Sequence, residues 1–78
     1  DLFAVGVTLY ELLCDGHHPY PQARPTLDVD PRDPRQFRKD LNNALAEFLI
    51  RACSSDRNTR FQTSAEMKAA LESARAAM

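Results

Sequence analysis

The segment from Leu2 to Cys14 constrains this chain most, because read as a helix it is apolar on every face. Only Thr8 and Glu11 interrupt Leu2, Phe3, Val5, Val7, Leu9, Tyr10, Leu12 and Leu13. A surface helix shows one apolar stripe, whereas a helix that is apolar all round belongs in the middle of a core. It is too short to cross a bilayer, which takes about 20 apolar residues. Such a helix asks for more surrounding protein than 78 residues comfortably supply. The expectation is that it carries more of the hydrophobic core than any other element, with Leu9 and Leu12 among the buried side chains.

The boundaries of this helix are written in the flanking residues. Asp1 suits the N-cap, where a side-chain oxygen accepts from the free N–H groups of the first turn. Asp15-Gly16 ends it, with Gly16 free to take the left-handed conformation at the C-terminal cap. His17-His18-Pro19-Tyr20-Pro21 cannot continue a helix, since the prolines remove donors and fix the backbone. Residues 21–35 hold Pro21, Pro25, Pro31 and Pro34 and no periodic apolar pattern, which predicts a loop. A short helical turn is expected around Arg35 to Lys39.

Two further helices follow. Asn43 to Ala52 places Leu45, Phe48, Leu49 and Ala52 on one side at amphipathic spacing, with Asn42 as N-cap. Glu47 and Arg51 lie four residues apart on the opposite face, in the favourable order for an ion pair. Thr63-Ser64-Ala65-Glu66 has capping-box spacing at the head of a third helix, whose narrow stripe is Met67, Ala70, Leu71 and Ala74. The fold class predicted is all-α: three main helices plus a Pro-rich loop, without a sheet.

Two separate stretches carry a family resemblance. Asp1, Phe3, Ala4, Gly6, Leu9, Tyr10, Glu11 and Leu12, followed by Gly16, Pro19 and Tyr20, look like the central helix of the large lobe of eukaryotic-type Ser/Thr protein kinases and the turn after it. Asp56-Arg-Asn-Thr-Arg60-Phe-Gln-Thr-Ser-Ala-Glu-Met67 is similar to the end of that fold, closest to the bacterial Hanks-type receptor kinases. Arg57 stands where the family usually has Pro, and the helix the family places near residues 21–35 is not evident. The two motifs occur in the family's order and span both ends of the chain. The resemblance implies that residues 1–78 are a single partial domain, the C-terminal part of a kinase large lobe. The chain opens on the first residue of a family motif without an initiator Met, so a piece of a longer polypeptide is expected.

Charge and cysteine content narrow the function classes. Ten Lys and Arg against eleven Asp and Glu leave a formal charge of -1, which makes no electrostatic case for nucleic acid or an anionic membrane surface. Arg32, Arg35, Arg38 and Lys39 alternate with Asp28, Asp30, Asp33 and Asp40 and read as a solvated mixed-charge loop. Cys14 and Cys53 read as small buried apolar residues of a reduced compartment. Together with His17 and His18 they lack the paired spacing of a zinc site, and the histidines read as part of a solvated turn. The segment is therefore expected in the cytoplasm, whether or not its parent is membrane-anchored.

The groups that perform phosphoryl transfer in kinases are not in this sequence. It has no Gly-rich loop, strand Lys, His-Arg-Asp, Asp-Phe-Gly or Ala-Pro-Glu, so no catalytic, cofactor-binding or metal-binding residue is assigned. ATP and magnesium are expected only of the parent, whose partners would be the rest of the kinase domain and a protein substrate. The resemblance assigns two structural residues. Asp1 matches the aspartate that hydrogen-bonds the catalytic-loop backbone, and Arg60 matches the arginine that pairs with the glutamate of Ala-Pro-Glu. With that glutamate outside these residues, Arg60 is expected to be exposed or paired locally with Asp56 or Glu66. Two alternatives stand beside the kinase reading: a pseudokinase or kinase-like regulatory module, and a free-standing helical interaction module that docks a partner through its first helix.

Overall fold

The computed structural model describes residues 2–20 and 31–76. Over these residues the chain is all-α: α1 (Leu2–Leu13), a single 3-10 turn (Pro34–Gln36), α2 (Asn43–Ala52) and α3 (Ser64–Ala76). Among the described residues there is no strand. Asp1 and residues 21–30, which hold most of the expected Pro-rich loop together with Asp28 and Asp30, lie outside the described residues.

The middle of the fold is α2, which packs on α1, on α3 and on the 3-10 turn. Its buried side is Leu45, Ala46, Phe48, Leu49 and Ala52, the stripe its sequence spacing predicts with Ala46 added. Asn42 caps it as expected, its Oδ1 accepting the Leu45 N–H at 2.6 Å. The core is completed by Tyr10 and Cys14 from the α1 side, Leu41 and Cys53 from the ends of α2, Phe61 from the following connection, and Met67 and Ala74 from α3.

Helix α1 departs from expectation. It buries only Gly6 and Tyr10 within its length, with Cys14 completing the same stripe one turn on. Leu9 is half-buried, and Leu12 is 74% exposed. The reason is geometric. One stripe of α1 meets α2, and its remaining apolar faces have too little of this chain beside them to cover them. The main share of the core belongs to α2 instead.

The end of α1 is fixed by three groups. Asp15 and Gly16 both take positive φ, 54° and 85°, so the left-handed conformation begins one residue before the glycine. The Gly16 N–H then donates to the Glu11 carbonyl at 2.8 Å, the long bond of a Schellman cap. Arg38 adds a donor from its guanidinium to the Leu13 carbonyl at 3.1 Å, satisfying another of the last-turn acceptors.

Beyond the cap, Pro19 and Arg32 meet. The Arg32 N–H donates to the Pro19 carbonyl at 2.7 Å, and the Arg32 guanidinium donates to the His18 carbonyl at 2.6 Å. The Tyr10 hydroxyl donates to the Arg32 carbonyl at 2.6 Å, and the Tyr20 hydroxyl donates to the Cys53 carbonyl. The Phe37 ring stacks on His17, with centroids 4.1 Å apart, and carries the Arg32 guanidinium 5.0 Å from its centroid. Arg32 is thus a half-buried clamp rather than part of a solvated charge loop. Asp33 and Asp40 do pair, with Arg35 at 2.7 Å and Arg38 at 3.0 Å. The expected turn forms earlier than predicted, at Pro34–Gln36, because the Asp33 carboxylate caps the Arg35 N–H at 2.9 Å.

Helix α3 starts with half of the predicted capping box. The Thr63 hydroxyl accepts the Glu66 N–H at 3.0 Å, while the Glu66 carboxylate accepts from Gln62, one residue before the cap, at 3.0 Å. The same carboxylate holds Arg51 at 3.1 Å, so Arg51 pairs across to α3 and not with Glu47 on its own helix. Arg51 also lies 4.1 Å over the Phe61 ring and donates to the Thr59 carbonyl. Three contacts across the chain outweigh one exposed pair along a helix, which is worth only ~0.3–0.5 kcal/mol.

Candidate functional site

The connection between α2 and α3 is built on Asp56. Its backbone N–H bonds the Ser54 hydroxyl, its carboxylate accepts the Asn58 N–H at 2.9 Å, and its carbonyl accepts from Thr59 and Arg60. An aspartate that bonds the backbone two residues on makes a tight turn without glycine or proline, and Arg57 lies exposed within it. The Gln62 amide then donates to the Arg57 and Arg60 carbonyls at 2.8 and 2.7 Å. Phe61 is buried against Phe48, with ring centroids 5.4 Å apart.

This frame fixes the direction of Arg60. Its guanidinium lies 4.9 Å from the centroid of the Phe3 ring, in the first turns of α1. Leu2, Phe3, Arg57, Arg60, Phe61 and Gln62 line a depression of about 290 Å³ at this end of the molecule. Neither local ion pair expected for Arg60 forms: Glu66 is taken by Arg51, and Asp56 meets Arg60 through the backbone. Arg60 is half-buried, its charge facing an aromatic ring. The structure thus brings together Phe3 and Arg60, one residue from each of the two sequence motifs. Asp1, the other residue singled out by the sequence, lies outside the described residues.

Two further hollows flank the helices. A cleft of about 540 Å³ includes Arg35, Glu47, Ile50, Arg51, Ser54 and Asp56. Both of its arginines are already held by carboxylates, Arg35 by Asp33 and Arg51 by Glu66. The Arg35 guanidinium hydrogen-bonded to Asp33 holds that carboxyl below the usual carboxylate range, and Arg38 does the same for Asp40. The second hollow, about 230 Å³, is an apolar groove between α1 and α3 formed by Leu2, Val5, Leu9, Met67 and Leu71.

Among the described residues the histidines and cysteines are engaged by backbone carbonyls and N–H groups or buried. His17 directs its Nδ1 to the Cys14 carbonyl at 2.7 Å, and the His18 Nδ1 accepts the Tyr20 N–H at 3.1 Å. Cys14 and Cys53 are free thiols, fully buried. Burial pushes the Cys53 thiol up to about 12 and raises Cys14 as well, which keeps both protonated and inert. The Tyr10 phenol is raised for the same reason. Among the described residues no group of three or more His, Cys, Asp or Glu could hold a metal ion. No helix among them is long and apolar enough to cross a membrane.

The two glycines are committed to structure. Gly6 sits where α1 touches α2, and Gly16 serves the α1 cap at positive φ. Neither belongs to a loop that could wrap phosphates. The Arg60–Phe3 contact and the Arg32 clamp were not legible as such in the sequence, because each joins residues far apart along the chain. Comparison with protein-family models, with characterised proteins and with solved structures yields no match.

Proposed function

We propose that this chain is the C-terminal part of the large lobe of a Ser/Thr protein kinase domain. It would act as a scaffold for phosphorylation carried out by residues that precede it. The observation that carries the proposal is the pair of sequence motifs, in the family's order, at the two ends of the chain. Two features of the fold support it. Phe3 and Arg60, one from each motif, are in contact. Helix α1 leaves large apolar side chains, Val5 and Leu12, exposed, as a helix designed for a larger core would when taken alone.

Under this reading the segment is not an enzyme by itself and lies in the cytoplasm. Its partners are the rest of the kinase domain and, through it, a protein substrate; nucleic acid and membrane surfaces are not among them. ATP and magnesium belong to the parent. Arg60 would orient toward a carboxylate of the activation segment, exchanging the face of Phe3 for an ion pair, and Asp1 would brace the catalytic loop.

The deciding experiment is to read the polypeptide upstream and assay it. A His-Arg-Asp and an Asp-Phe-Gly within the preceding hundred or so residues, with phosphotransfer activity, are expected. Kinase-like sequence with those residues replaced would make the parent a pseudokinase, and the absence of any kinase-like sequence would overturn the proposal.

A further inference from the structure

We draw no further inference here: the strongest candidate, the apolar groove between α1 and α3 formed by Leu2, Val5, Leu9, Met67 and Leu71, carries nothing beyond the proposed scaffold role because nothing in the structure shows what covers it.

Discussion

Gly6 of α1 lies directly against the backbone of Ala52 at the end of α2. A β-carbon on Gly6 would stand 2.7 Å from the Ala52 carbonyl oxygen and 2.9 Å from its β-carbon. Neither neighbour is the tip of a flexible side chain, so the helices would have to separate. The close approach is what lets Tyr10 and Cys14, on the same stripe of α1, reach the core without exposure.

Gly6→Ala is therefore expected to destabilise the chain. Alanine gains up to ~1 kcal/mol in helix propensity over glycine, but overpacking costs ~1–3 kcal/mol. Urea denaturation of the variant beside wild type measures the balance. A variant more stable than wild type would mean that α1 and α2 do not touch at this point.

The division of the core between the helices is tested by a pair of leucines. Leu49, fully buried in α2, should cost ~2–5 kcal/mol on replacement by Ala. Leu12→Ala should stay within about 0.5 kcal/mol of wild type, as exposed positions do. Equal losses at the two sites would restore α1 to the centre of the fold.

Thr63→Ala removes the hydroxyl that accepts the Glu66 N–H and should cost about 1 kcal/mol. Thr63→Ser, which keeps the acceptor, should recover most of that loss. A serine variant as unstable as the alanine one would locate the effect in the lost methyl group and not in the cap.

These helix starts were the part of the fold most legible in the sequence. A cap and the stripe it introduces lie within a few residues of each other, as with Asn42 and Thr63, so local chemistry decides them. Burial of α1 was not legible, because an all-round apolar helix states only that it wants cover and not whether the chain provides it. Arg51 chose Glu66 over Glu47 for a similar reason: a partner fifteen positions away is invisible until the chain has folded. Arg60 was legible as a residue of interest, but its contact with Phe3 required α1 and the Asp56 turn to be brought to one end.

Alkaline pH should weaken the fold through its thiols. An unfolded cysteine titrates near about 8.5, whereas burial holds Cys53 protonated up to about 12. Between those values the unfolded chain binds fewer protons than the folded one, so stability falls as pH rises. Urea midpoints across pH 7 to about 10 should show a shallower decline for Cys53→Ala than for wild type. Parallel declines would assign the effect to other groups.

The bond from the Arg32 N–H to the Pro19 carbonyl holds the segment after the α1 cap beside the segment before the 3-10 turn. Tyr10 and Tyr20 fasten both to the core, Tyr10 through the Arg32 carbonyl and Tyr20 through the Cys53 carbonyl. Arg32 thus works as a hinge pin: its N–H serves Pro19, its carbonyl serves Tyr10 and its guanidinium serves His18. Losing that side chain would free only one of the three links, because the other two belong to backbone that any residue but proline supplies in full.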